Sequence, residues 1–466
     1  MIRKTNPIEM SKKDRFAMSV YMPLNDPRAG TIGACVYREL HRTQWCDPQA
    51  MGRIQEKKVK ALLDHAIRTV PFFANHPPWV GGEPETLRER LATYPILTKD
   101  AIRANSSNMH PQKGLPRSFT RATTGGTTGK PLEIWYGKRR RAMVLAASWR
   151  GRSWLGIKPW TRGANVQAFG KGSWYGRLRM RLTNKWLFDV FGKNTEERAV
   201  IAATLSRIRP KYLEGFVSDT LALGEACHAA GVKIARVLTT GEMLYEHQRN
   251  KLEELFGAKV SDYYGCNEVG AMAFECEMGN KHVTDEHVIL EVVDDAGTPV
   301  WEKAGRILLT DLDNWLTPLV RYEVGDVGIL TRSRCPCGRG LTVLSALEGR
   351  TQDAIMNEQG DSLSTLFLAG KFKDLKAIHS VQFVQRSLTQ IDLLYEGATP
   401  DLYEELREMQ DEIRDRLGPQ MEVRSRCVSQ LRYTNRGKRR LVIQLGEGET
   451  AAEPSLANEA AGDAGK

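Results

Sequence analysis

The sequence predicts an α/β fold, with a large body on a mainly parallel sheet followed by a smaller α+β unit. Three observations carry that expectation. Beyond Pro111, short strand-like runs alternate with helix-like runs, the pattern of strands joined by crossover helices. Toward the C-terminus the pattern changes to β-β-α-β-β. A chain of 466 residues with 41% hydrophobic composition can also bury more than one core.

In chain order, residues 1–50 read as an irregular N-terminal extension, because Pro23, Pro27 and Pro48 interrupt any periodicity. Between Gln55 and Val70, Leu62, Leu63, Ala66, Ile67 and Val70 recur at helical spacing, and Pro71 ends the pattern. Leu132 to Tyr136 reads as a strand, Arg139 to Trp149 as a helix, and Ala235 to Leu238 as a short strand before Thr239-Thr240-Gly241. The body is expected to span residues 51–349, with the boundary near Gly349-Arg350. In the second unit, 350–446, two alternating segments (Val381 to Val384, Ile391 to Tyr395) precede a helix with Leu402, Leu406, Met409, Ile413 and Leu417 on one face. Gly418 stops that helix, and strands follow at Met421 to Val428 and Arg440 to Leu445. Residues 447–466 hold too few large apolar side chains to fold and read as a disordered tail.

No run approaches the ~18 apolar residues of a membrane span, and no apolar block follows the charged N-terminus, so a cytoplasmic protein without a membrane span is expected. Eight unevenly spaced cysteines fit reduced thiols better than a disulfide framework. The net charge of +11 is concentrated at Lys138 to Arg141, Arg177 to Arg181 and Arg436 to Arg440. The first two clusters read as solvated helix faces, because neither is interleaved with the stacking aromatics of single-strand binders, and no nucleic-acid partner is expected.

Thr123 to Pro131 reads TTGGTTGKP. Its glycines let backbone N–H groups close on phosphate oxygens, its hydroxyls add donors, and Lys130 adds positive charge. It departs from the Walker pattern, where Ser or Thr follows the lysine, because Pro131 stands there. Three further strings follow in order: Thr239-Thr240-Gly241-Glu242, Tyr264-Gly265-Cys266-Asn267-Glu268, and Pro318-Leu319-Val320-Arg321-Tyr322-Glu323-Val324-Gly325-Asp326.

With these motifs, the Leu62 to Phe73 segment (LLDHAIRTVPFF), Gly349 to Asp353 and Gly437-Lys438, the chain resembles the adenylate-forming enzymes of the phenylacetate-CoA ligase branch, including its capsular polysaccharide biosynthesis relatives. The resemblance covers roughly residues 50 to 445. It departs at Cys266-Asn267, where Ser or Thr is commoner before the glutamate, and at Thr434-Asn435-Arg436 ahead of the lid lysine.

The resemblance implies an acetyl-CoA synthetase-like body, a mobile C-terminal lid, and activation of a small carboxylic acid by ATP and Mg²⁺ followed by transfer to coenzyme A. A non-CoA acceptor such as an amine, sugar or carrier protein is the alternative, and the family leaves room for a homodimer. Thr123, Thr124, Gly125, Gly126, Thr127, Thr128, Gly129 and Lys130 would hold the β- and γ-phosphates. Thr240, Gly241 and Glu242 would line the adenine pocket, Tyr264 beside Gly265 would stack on the base, and Glu268 would hold Mg²⁺. Asp326 would take the ribose hydroxyls, and Arg350 would add a ribose or phosphate contact. Lys438 would bridge the carboxylate and α-phosphate, with Asp353 as the hinge. Each has a plainer reading beside it: Tyr264 as a core aromatic, Asp326 as a turn cap, Arg350 as a hinge brace, Lys438 as a solvated cation with Arg439 the other candidate.

The acid pocket is expected near Ala168 to Tyr175, Phe216 and Thr239 to Tyr264. Cys276, His282, Cys335 and Cys337 form a ligand set suited to tetrahedral structural Zn²⁺ and resemble a site found in part of the branch; unligated cysteines in a loop are the other reading. Cys266 reads as a pocket wall.

Overall fold

The computed structural model describes residues 11–124, 132–166, 174–190, 193–241, 244, 246–350, 355–359, 361–363, 380–396, 402–428 and 442–444. The chain divides into two compact units, Met1–Ala122 with Glu133–Gly349, and Thr123–Leu132 with Arg350–Lys466.

The first unit opens with helices α1 (Lys12–Asn25), α2 (Gly30–Thr43) and α3 (Pro48–Thr69), then the short α4 (Leu87–Leu91) and α5 (Lys99–Ala104). Strands β1 (Thr120–Thr124) and β2 (Leu132–Tyr136) pair as a ribbon, and α6 (Lys138–Trp154) follows. The α/β section runs β3 (Gly163–Val166), α7 (Trp174–Leu182), β4 (Lys185–Phe188), α8 (Thr195–Ile208), β5 (Tyr212–Phe216), α9 (Val217–Ala229), β6 (Arg236–Thr240), α10 (Glu246–Phe256) and β7 (Lys259–Cys266). Six more strands complete the large sheet: β8 (Gly270–Glu275), β9 (Lys281–Val283), β10 (Val288–Val293), β11 (Gly305–Asp311), β12 (Tyr322–Thr331) and β13 (Val343–Arg350).

The sheet has the order β10-β11-β12-β13-β9-β8-β7-β6-β5-β3-β4. Its β4-β3-β5-β6-β7 half is parallel, as each crossover helix demands. The expectation of a mainly parallel sheet needs correcting for the other half. Only Asn267 to Val269 separate β7 from β8, too few residues for a crossover, so the chain reverses and β7-β8, β8-β9, β13-β9, β10-β11 and β11-β12 pair antiparallel.

Over residues 11–50 the irregular reading of the N-terminal extension also gives way. Pro23 lies near the end of α1, Pro27 lies in the turn before α2, and Pro48 opens α3 under the Asp47 cap, a position where its missing N–H costs nothing. The buried stripe of α2 (Gly33, Ala34, Tyr37, Leu40) is partly made of small residues, a weak apolar signal. These helices are keyed into the body: Thr43 Oγ1 donates to Glu286 at 2.5 Å, and Lys58 Nζ lies 2.9 Å from Asp313.

The second unit contains β14 (Ile355–Met356), β15 (Ser362–Leu363), β16 (Ser380–Ser387), β17 (Gln390–Glu396), α11 (Leu402–Leu417), β18 (Glu422–Cys427) and β19 (Val442–Gln444). Strands β18-β17-β16-β19 form one sheet, and Leu406, Met409, Ile413 and Leu417 of α11 join its core. No described helix is long and apolar enough to cross a membrane.

Candidate functional site

The parallel strands end level with one another: Phe216 pairs Thr240, and Thr240 pairs Tyr263. Ligands of doubly wound sheets sit beyond such carboxyl ends. Thr239 Oγ1 donates to the buried Asp262 (2.8 Å), which Lys281 neutralises at 2.9 Å, so the base of the Thr239-Thr240-Gly241 turn is fixed from below. Thr240 Oγ1 donates to the Tyr263 carbonyl at 3.1 Å. Gly241 has φ of +77°, and a Cβ there would lie 2.6 Å from the Phe216 ring, so conformation and space both require glycine. Gly265 is equally confined, with a Cβ 2.5 Å from the Gly270 carbonyl oxygen.

Side chains from β7 and β12 meet beside these ends. Tyr264 Oη donates to Asp326 Oδ2 at 2.7 Å, so the two residues expected at base and ribose are tied to each other. On the turn between β7 and β8, Glu268 is buried, and its Oε1 accepts a 2.8 Å hydrogen bond from Tyr322 Oη with Lys99 Nζ 3.9 Å away. No hydrogen bond reaches Glu268 Oε2 from the described residues, which leaves an acceptor oxygen of the kind Mg²⁺ or its water takes. The turn is held from the main chain too, since Arg140 donates to the Glu268 carbonyl at 2.5 Å and pairs with the buried Asp311 at 3.0 Å. Beneath it, burial opposes ionisation of Asp313, yet Lys58 and His287 hold its carboxyl at about 2. Burial, reinforced by Glu268, keeps the Cys266 thiol well above its ordinary range, which fits a pocket wall rather than a nucleophile.

Arg321 explains the rigidity of the Pro318 to Asp326 segment. It has φ of +48°, a conformation that costs a non-glycine residue strain, and its guanidinium over-determines the site by pairing with Glu291 (3.1 Å) and donating to the Tyr94 and Gly297 carbonyls.

Cys276, His282, Cys335 and Cys337 offer ligand atoms all within 4.8 Å of one another. Cys276 Sγ and Cys335 Sγ are 3.7 Å apart, and Cys337 Sγ is 3.2 Å from His282 Nε2. Metal–sulfur bonds of about 2.3 Å give a tetrahedral edge of roughly that sulfur–sulfur length. Supporting groups surround the ligands: the Met278 N–H donates to Cys276, Asn280 Nδ2 donates to Cys335, and His282 Nδ1 lies 3.4 Å from the Leu341 carbonyl. Contact with Cys276 and His282 holds the Cys337 thiol far down, while contact with Cys337 and burial push Cys276 up.

Of the sequence-derived site residues, Gly125 to Lys130, Glu242, Asp353 and Lys438 lie outside the described residues, as do the side chains of Thr123, Thr124 and Arg350. Three residues around Glu268 carried no assigned role in the sequence reading: Lys99, Arg140 and Tyr322. Tyr322 stood inside a motif, two residues of backbone alternation from Val324. Arg140 sat in the run read as a solvated helix face; Lys138 and Arg139 are exposed as that reading expects, but it fails at Arg140, which is buried against Asp311.

Residues 355–445 match the model of the CapK C-terminal domain. The chain is 28% identical over 330 residues to a phenylacetate-coenzyme A ligase of Thermus thermophilus, covering 66% of this chain and 72% of that one. It is 32% identical over 137 residues to an indoleacetate–lysine synthetase of Pseudomonas savastanoi, covering 27% and 31%. Its fold matches a crystal structure of a 2-hydroxyisobutyryl-CoA ligase with a TM-score of 0.59 at 20% identity, over 86% of this chain and 91% of that one.

Proposed function

We propose, from the premise that this chain is an AMP-forming ligase related to the phenylacetate-coenzyme A ligases, that it activates a small carboxylic acid with ATP and passes the acyl group to coenzyme A. In the first step a carboxylate oxygen of the acid attacks the α-phosphorus, the bond to the bridging oxygen breaks, and pyrophosphate leaves with the electron pair. In the second, the coenzyme A thiol gives up its proton to solvent, its sulfur bonds to the acyl carbon, and the bond from that carbon to the phosphate oxygen breaks as AMP leaves with the electron pair. The observation that carries the reading is the convergence of Glu268, Tyr264 and Asp326 beside the carboxyl ends of the parallel strands, on two motifs found in the expected order.

The residues divide the work by their chemistry. Mg²⁺ held at Glu268 would neutralise charge on the phosphates. Tyr322 and Lys99 orient the Glu268 carboxylate, and Arg140 fixes its turn. The loop Thr123 to Lys130 supplies donors for the β- and γ-phosphates, and Asp326 accepts from ribose hydroxyls. The four-ligand cluster suits structural Zn²⁺, since three thiolates and an imidazole leave no open position for chemistry. Activity in the cytoplasm fits a ligase that draws on ATP and coenzyme A.

A second reading rests on the match to the indoleacetate–lysine synthetase, whose name describes ligation to an amine. One assay addresses both. Purified protein with Mg²⁺, ATP and a panel of carboxylic acids should release pyrophosphate and form AMP only when the right acid is present, and coenzyme A should convert the adenylate to thioester. Formation of ADP and phosphate would overturn adenylation. AMP formation with amine-dependent and CoA-independent turnover would favour the second reading.

A further inference from the structure

A cavity of about 350 Å³ lies against the parallel sheet, at the lower end of the range for small-molecule pockets. Its place in the topology is informative. In the order β4-β3-β5-β6-β7 the chain first steps from β3 out to β4, then returns past β3 to build the sheet the other way, so the crossovers diverge between β3 and β5. That switch point is where an open α/β sheet parts its loops to admit a ligand. The cavity lies beneath the carboxyl ends of these strands: it is lined by Gly163 and Asn165 of β3, Lys185 and Leu187 of β4, and Tyr212 and Glu214 of β5, residues of the amino-terminal and middle parts of the strands.

Register ties it to the site already described. Glu214 and Phe216 lie on one face of β5, Phe216 pairs with Thr240, and Thr240 pairs with Tyr263. Tyr263 Oη in turn donates to Glu214 Oε1 at 2.9 Å. The cavity therefore sits on the sheet face that leads to the Thr239-Thr240-Gly241 turn.

The charge of its lining is lopsided. Glu214 is the single carboxylate among the lining residues, and Arg152 occupies it twice, through contacts of 2.5 and 3.2 Å. Two more cations remain. Lys185 Nζ contacts the neutral Asn25 Oδ1 at 3.1 Å and lies over the Trp149 ring, and Arg179 has no carboxylate partner among the described residues. Burial, with Arg152 and Arg179 nearby, brings the Lys185 ammonium down to about 7 despite Glu214, the response of a cation short of an anion. Asn165 Oδ1 is buried without a hydrogen-bond partner. A partly open cleft with surplus positive charge attracts a small anion, and the Asn165 amide oxygen, an acceptor, calls for a donor on whatever lies beside it.

We propose that this cavity receives the part of the acid remote from the carboxylate that is activated, and that it selects an acid carrying a second anionic group. The inference rests on the ligase reading above for the identity of the bound molecule as substrate. Lys185 and Arg179 take the second anion, Asn165 orients the chain between the two ends, and the Arg152–Glu214 pair forms a fixed wall.

The test uses the full chain and matched pairs of probes, glutarate, adipate and pimelate each beside its mono-amide. Calorimetric binding should favour a diacid over its mono-amide by roughly tenfold or more, and Lys185→Met and Arg179→Gln should each erase most of that difference. Melting curves confirm that the variants fold. Equal binding of each pair by the unaltered protein, or a preference that survives both substitutions, overturns the inference. ATP–pyrophosphate exchange on the same acids is read separately. Selective diacid binding with no exchange for any acid overturns the ligase reading and leaves the anion pocket standing. Exchange that ignores the second charge leaves the ligase and removes the pocket's role.

Discussion

Around Glu268 the carboxylate and its main chain are held by different residues, so removing charge and removing geometry are separable experiments. Tyr322 and Lys99 address the carboxylate, whereas Arg140 addresses the carbonyl of the same residue. Glu268→Gln keeps shape and a hydrogen-bond partner for Tyr322 but discards the charge that would hold the metal. Pyrophosphate release should fall by about 10²- to 10³-fold with an unchanged melting temperature. Undiminished release would move the metal elsewhere. Arg140→Met is expected to act differently, because it strips the buried Asp311 of its cation and should destabilise the body by about 3 kcal/mol or more, visible as a shifted denaturation midpoint. Glu268 was legible in the sequence because its motif is contiguous. Lys99 was not, since it reaches the site only through the pairing of Leu97 with the main chain of Arg321 and Glu323, a contact across more than two hundred residues that no local pattern announces.

Single elements show what periodicity could and could not reveal. Strand β2 spans the residues expected of it, and α11 buries Leu406, Met409, Ile413 and Leu417 of its expected stripe, because in both the apolar residues follow one period without interruption. Helices α1 and α2 escaped because prolines marked their neighbourhood and small residues formed part of their buried face. The antiparallel half of the sheet escaped because strands such as β10, buried on both faces, carry no alternation to distinguish their pairing. The Cys/His cluster belongs to this scale: it pins the β8–β9 hairpin to the loop between β12 and β13, and that loop also places Arg339 over the rings of Trp45 and Trp154. Elemental analysis should find about one zinc per chain. Cys335→Ser or Cys337→Ser should abolish it and lower the melting temperature by roughly 3–5 °C, the shift expected for ~2–3 kcal/mol in a body of this size, while ATP recognition persists. Full activity and stability in metal-free protein would show that the thiols merely pack.

At the scale of the whole molecule, the two half-reactions proposed above would make conflicting demands on one active site. Adenylation gathers a carboxylate and a triphosphate, so it needs cations near the reacting atoms; thioester formation must then admit a thiol to the acyl carbon at the same place. A cation carried on a separate folding unit resolves the conflict, because it can be present for the first step and withdrawn for the second. The second unit has its own sheet and core, and Lys438 falls within its matched CapK region. We propose that Lys438 serves adenylation alone, bridging the carboxylate and the α-phosphate while both are negative. Lys438→Ala should lower adenylate formation by at least ~10², the loss expected for a positioned charge, while the same variant still converts a supplied acyl-adenylate and coenzyme A to thioester. Equal loss in both assays would indicate damage to the second unit as a whole. Loss in neither would make Lys438 one more solvated cation of the Arg436 to Arg440 run, with Arg439→Ala the next variant to carry through the same pair of assays.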